Sequence, residues 1–230
     1  VNLAQQNGVR LIFSVVTAPP WARPGKGYHG PPDNFDDYAR FVGALATRYR
    51  GKVQAYEIWN EQNYYAEWNG PGQMNAASYV DLLRRAYSAV KAGDPNAIVI
   101  SGGLTPGGNV GNLVIDDVTF MEQMYQAGLK NYADVIGVHA NVAGNNPPDD
   151  VPDSTDTNTR RWHWSFFWKR FTQHYEVMSR YGDSGKKIWF TEFGWASIEN
   201  VAPNPQPGYE YAAQISEAAH AQYLRRAFEL

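Results

Sequence analysis

The sequence predicts an α/β fold in which parallel strands alternate with helices and curve toward a (β/α)8 barrel. Five short apolar segments rich in branched residues are separated by helical stripes at intervals of roughly 35 to 55 residues, which suits right-handed βαβ units. Polar residues fall at the C-terminal ends of several of these segments, the face where barrels carry their chemistry. Periodicity alone also allows an open doubly wound sheet, but the nucleotide loops of such sheets are missing. The Gly-rich stretch from Gly102 to Gly111 has neither GxGxxG nor GxxxxGK spacing.

Each element has its own signal. Val9 to Val16 is an apolar run entered through Gly8 and left through Pro19 and Pro20, the pattern of a buried parallel strand. After a Gly/Pro-rich loop, Tyr38, Phe41, Val42, Leu45 and Tyr49 recur at helical spacing behind a candidate cap at Asp33 or Asn34. Val53 to Trp59 is the second strand. A helix with Tyr79, Leu82, Leu83, Ala86, Tyr87 and Val90 on one face leads through Gly93, Asp94 and Pro95 into strand Ala97 to Ser101. A helix from Val118 to Gly128 precedes strand Asp134 to His139. A polar loop then gives way to a stripe of Trp164, Phe167, Trp168, Phe171, Tyr175 and Met178, and Lys187 to Glu192 is the fifth strand.

With 230 residues and 43% hydrophobic content the chain can bury one substantial core, so one domain over residues 1–230 is expected. A formal net charge of -3 offers no electrostatic reason for a nucleic-acid or acidic-membrane partner. No apolar run approaches the ~18 residues that a bilayer span needs. The absence of cysteine excludes disulfides and thiolate metal sites but not an oxidising compartment. The chain opens without Met in what reads as a helix end and stops at Leu230 within an amphipathic helix, the expected look of a fragment.

Two strand ends carry candidate catalytic carboxylates. Glu61 lies in YEIWNEQN, flanked by Trp59 and Asn60 rather than by the Lys or Arg of a surface ion pair, and Glu192 lies in KIWFTEFGW. Either glutamate alone reads more readily as a structural carboxylate, but the pair in matching settings points to a shared cleft. Retaining hydrolysis of a glycosidic bond needs one protonated and one ionised carboxyl, about 5 to 5.5 Å apart. Environment decides the roles: burial or a nearby negative charge raises the acid, and donors keep the nucleophile ionised. Residue types alone leave that choice open. Glu57, on the same strand as Glu61, is expected to point inward in a buried, paired structural role.

YEIWNEQN and IWFTEFGW together resemble the Asn-Glu and Glu signatures of the glycoside hydrolase clan with acid/base on strand four and nucleophile on strand seven. Within it the likeness is to family 39 β-xylosidase-like and cellulase-like enzymes. The resemblance spans nearly the whole chain. It implies Glu61 as general acid/base, Glu192 as nucleophile, Asn60 as the partner of the substrate 2-hydroxyl, an oligo- or polysaccharide substrate, no cofactor, and an extracellular or cell-surface location. It also makes Val9 to Val16 the third barrel strand, so that strands three to seven are present and strands one, two and eight are missing. The two sheet edges left unpaired would then be covered by a longer chain or by partners, and these residues by themselves would be inactive. At the sixth strand GVHAN replaces the family's His-Pro-Tyr, which leaves His139 as a candidate neighbour of the nucleophile or the sugar.

Fourteen per cent of the residues are aromatic, and flat rings both stack on sugars and fill cores. Trp21, Trp59, Tyr64, Trp68 and Trp195 sit on or beside strand-end loops and are candidate subsite residues, whereas Trp164 and Trp168 lie on a helix stripe and belong in the core. Metal hydrolysis is disfavoured, since His29, His139, His163, His174 and His220 are scattered and no HExxH occurs. GxSxG is absent as well. Two rivals remain: a carbohydrate-binding barrel without turnover, and a polysaccharide lyase on the same fold.

Overall fold

A computed structural model describes residues 1–27, 29–70, 73–140, 144–151, 166–201 and 204–230. Five strands, β1 (Ile12–Val15), β2 (Ala55–Ile58), β3 (Ile98–Ser101), β4 (Val135–Ala140) and β5 (Lys187–Phe193), form one sheet. All pairings are parallel, and the spatial order is β1-β2-β3-β4-β5. A doubly wound sheet reverses its strand order at a switch point. Unbroken sequential order is instead the arc of a barrel, so the fold is an incomplete (β/α)8 barrel.

The helices are α1 (Asn2–Gln6), α2 (Phe35–Arg48), α3 (Ala76–Gly93), α4 (Asp117–Gln126), α5 (Phe171–Arg180) and α6 (Glu217–Glu229). None among the described residues is long and apolar enough to cross a membrane. Side-chain caps set several starts: Asn34, Asn75, Asp116 and Ser216 each accept a backbone N–H of the first turn, which satisfies donors the helix leaves orphaned. The predicted stripe from Trp164 begins later. Trp164 lies outside the described residues, Trp168–Arg170 form a 3₁₀ turn, and α5 follows.

The first three strands are shorter than their apolar runs, whereas β4 keeps the expected length one residue later and β5 extends one residue further, to Phe193. Val9 and Arg10 precede β1 and are exposed, because a parallel ladder extends only as far as its neighbour, and β1 has β2 on one side and no described strand on the other. The main core lies between the outer face of the sheet and the helices. Tyr56, Ile58, Val99, Ile136 and Val138 meet Val42 of α2, Leu82 and Leu83 of α3, Phe120 and Met124 of α4, and Val177 of α5. Each such side chain contributes roughly 1.5 to 3 kcal/mol on burial. Tyrosines tie this layer to the strand ends: Tyr38 Oη donates to Val15 O at 2.7 Å, and Tyr79 Oη donates to Ile58 O and accepts Gly102 N–H. The inner face carries a smaller cluster of Ala55, Ile98, Ile100, Val135 and Trp189. Glu57 stands on that face too, buried as expected.

Candidate active site

The chain leaves β2 through two residues in the left-handed region, Trp59 (φ 71) and Glu61 (φ 45). That conformation is costly for side chains with a Cβ, and it persists where the surroundings over-determine it. Here they do. The Trp59 ring is buried edge-on against Trp68, and its indole N–H donates to Glu67 O at 3.0 Å. Glu61 N–H donates to Gly103 O at 2.8 Å. Beyond it, Gln62 Nε2 donates to Gly102 O, and Asn63 binds Thr105 N–H while donating to Thr105 O and Ile115 O. These buried amides pin the β2 loop to the β3 loop and aim the Glu61 side chain.

Glu192 is aimed by a different device. Between β4 and β5 the register runs Gly137 to Trp189 and Val138 to Phe190, then jumps to His139 opposite Glu192. Thr191 is the extra residue of this irregularity, a bulge of the kind that re-aims side chains beside active sites. The shift sets Glu192 level with His139. His139 is fully buried, and its Nδ1 lies 3.1 Å from Glu61 Oε1 and 3.9 Å from Glu192 Oε2. That contact holds one proton, on Nδ1 when Glu61 is ionised or on the carboxyl when Nδ1 is bare. One oxygen of each glutamate and this nitrogen all lie within 4.8 Å of one another. These three donors are also the group among the described residues that could hold a cation, although the ring nitrogen is already engaged by Glu61.

Charge binds the group together. Burial would push the His139 imidazole down, but its hydrogen bond to Glu61 and the charges of Glu192, Glu61 and Glu57 overcome this and hold it above its ordinary value. Burial raises the Glu192 carboxyl; His139 opposes the shift, while Glu61 and Glu57 add to it. Glu67, raised by burial and opposed by His29, feels both Glu61 and Glu192 and is a further carboxylate near the pair. The motif pattern gave no sign of Glu67 or Thr191.

Asn60 is half-buried, directly before Glu61. Tyr64 is half-buried, and its N–H donates to Glu61 O at 2.9 Å. Trp21 is 71% exposed on a turn after β1 and borders a cavity of about 790 Å³ with Val16, Pro19, Tyr38 and Phe41. The other three tryptophans are not open platforms. Trp59 and Trp68 belong to the main core, with Trp68 packed edge-on against both Trp59 and Tyr79. Trp195 is buried with Trp168 and Tyr223, its N–H bonded to Asn146 O at 2.7 Å. Loop position suggested access, but all three rings are buried, Trp59 and Trp68 in the main core and Trp195 beside Trp168.

No protein-family model and no curated protein match the chain. Solved structures do. A family 39 glycoside hydrolase from the gut symbiont Bacteroides cellulosilyticus WH2 aligns over 99% of this chain and 41% of its own, at 20% identity and TM-score 0.63. A glucosidase from Croceicoccus marinus aligns over 98% of this chain and 40% of its own, at 14% identity and TM-score 0.63. A family 39 β-xylosidase from Caulobacter crescentus aligns over 84% and 39%, at 18% identity and TM-score 0.55. The chain thus shares the barrel fold of glycoside hydrolases and spans about two fifths of the length of these structures.

Proposed function

We propose that the 230 residues are one part-barrel catalytic domain of a retaining glycoside hydrolase that cleaves a β-linked glycan or glycoside. The observation that carries the reading is the approach of Glu61 and Glu192 oxygens to within 4.8 Å. Retention needs roughly 5 to 5.5 Å between carboxyls, whereas inversion needs ~6.5 Å or more to seat a water between them. An oxygen pair this close is in keeping with the shorter, retaining separation and supports double displacement. The fold of the structural neighbours supports a carbohydrate substrate.

In this reading Glu192 attacks the anomeric carbon while Glu61 protonates the departing oxygen. Glu61 then takes a proton from water, whose oxygen displaces Glu192 and releases the sugar. Asn60 binds the 2-hydroxyl, a contact that strengthens in the transition state. The assignment of the two roles follows the resemblance, the Asn-Glu signature for the acid/base and the Glu of IWFTEFGW for the nucleophile. The environment of Glu192 alone does not select it, because burial raises a group that must react as an anion. His139, 3.9 Å away, opposes that shift when protonated and then favours the ionised form.

The test is the full-length protein against a panel of aryl β-glycosides, with product configuration followed by NMR. Release of the aryl alcohol with first-formed β-product is the expected result. First-formed α-product would refute retention, binding without release would favour a carbohydrate-binding barrel, and an unsaturated product absorbing in the near ultraviolet would favour a lyase.

A further inference from the structure

Beneath the pair lies a third carboxylate that the mechanism does not use. Glu57 sits in mid-β2, is 4% exposed, and has Ser14 of β1 and Ile100 of β3 as its register neighbours. Its Oε1 lies 3.3 Å from Gly103 N. We propose that Glu57 is a positioning residue for the Glu61–Glu192 pair, acting through the charge of His139. This inference rests on the hydrolase reading for what the pair does, but the arrangement is a matter of geometry.

Two glycines create the compartment. A Cβ at Gly137 would collide with Ser101 O at 2.2 Å and press on Glu57 Oε1 at 3.3 Å, so the missing side chain admits the β3 backbone and places the carboxylate against Gly137. Gly137 precedes His139 by two residues on β4, and residues two apart face the same side of a sheet, so Glu57 occupies the layer directly below the imidazole. A Cβ at Gly103 would fall 2.3 Å from His139 Cδ2 and 2.9 Å from Thr191 Oγ1. Gly103 therefore admits the ring on one side while its N–H faces Glu57.

The charged groups that face His139 among the described residues are Glu61 and Glu57 from β2 and its loop, and Glu192 from β5. Gly103, on the β3 side, and Thr191, on the β5 side, carry no charge. One buried imidazole is thus set against three carboxylates, and a buried charge is tolerated only when opposite charge accompanies it. Glu61 binds it directly and Glu192 lies at 3.9 Å, both in the cleft. Glu57 is the member that stays buried whether or not a sugar fills the cleft. It favours the imidazolium, which in turn favours ionised Glu192, and its own negative charge acts on Glu192 in the opposite sense.

The experiment compares wild-type full-length protein with Glu57→Gln, which keeps an acceptor for Gly103 N–H, and Glu57→Asp. The His139 ring is followed by NMR from low to high pH, its signal identified by its loss in His139→Gln, alongside the pH profile of kcat/KM. In Glu57→Gln the His139 titration is expected to move to lower pH. The acidic limb of activity should move the opposite way, to higher pH, because His139 acts on Glu192 more strongly than Glu57 does and a neutral ring no longer favours its ionised form, with a loss of about tenfold near neutrality, and Glu57→Asp should restore the wild-type titration in large part. An unchanged His139 titration in a folded Glu57→Gln protein would overturn the proposal. So would failure of both variants to fold, which would assign Glu57 to stability alone. Should no aryl glycoside be turned over, the hydrolase reading falls, while the titration still decides whether Glu57 governs His139.

Discussion

In the proposed mechanism, replacing Glu61 by Ala separates acid catalysis from nucleophilic attack, because the two steps make different demands on the leaving group. Glu61 is 17% exposed, its oxygen lies 3.1 Å from the buried His139, and no other carboxyl is hydrogen-bonded to that ring among the described residues. Its loss should remove general-acid help entirely, a factor of ~10² to 10⁴, or about 3 to 5.5 kcal/mol at ~1.4 kcal/mol per decade. That cost falls only where the departing oxygen needs a proton. A phenyl or alkyl β-glycoside should show the full loss in kcat/KM, whereas a dinitrophenyl β-glycoside, whose phenolate leaves unaided, should lose less than about tenfold. With the dinitrophenyl substrate, breakdown of the glycosyl-enzyme becomes limiting for lack of a base, and azide should accelerate it to give the β-glycosyl azide, with retention. Equal losses on both substrates would refute the assignment. Production of the α-azide would show that the roles of Glu61 and Glu192 are reversed.

Glu192→Ala should abolish turnover, and azide should restore it on an activated substrate with inversion; near-wild-type rates would remove Glu192 from the mechanism. Because burial raises Glu192 and the proposed nucleophile must be ionised to attack, activity should fall as pH drops while still above the ordinary glutamate range, visible in the acidic limb of kcat/KM. Gly103→Ala drives a Cβ into the His139 ring and should lower kcat more than it lowers Tm, as paired kinetics and calorimetry would reveal. Asp117 is buried with Arg170 Nη2 at 2.7 Å and His174 Nε2 at 2.9 Å. Asp117→Asn should cost about 3 to 5 kcal/mol in denaturant unfolding, the cost of stranding a buried charge. Burial alone would raise that carboxyl, but His174 and Arg170 lower it, so its contribution is present above its unfolded pKa and lost as pH falls through the depressed folded value.

The legible part of this molecule was what depends on period and on residue type at strand ends. Branched apolar runs gave five strands, and a stripe with Asn34 ahead of it gave α2 to within its cap. The same logic did not foresee the burial of Trp59, Trp68 and Trp195, because position next to a strand end does not say which way a ring turns. Trp59 adopts a left-handed backbone that swings its ring into the helix layer, and nothing in WNE announces a positive φ at a bulky residue. The meeting of the two glutamates was likewise invisible as geometry. Simple alternation from Val138 opposite Phe190 would set His139 against Thr191 and Glu192 against Ala140, on the far side of the pleat from the imidazole. One extra residue at Thr191 reverses this, and a bulge depends on how two strands accommodate each other, not on the composition of either. The hydrophobic pattern thus fixes which face of β5 meets the core up to Phe190, and the irregularity after it decides that a carboxylate, rather than a hydroxyl, stands level with His139.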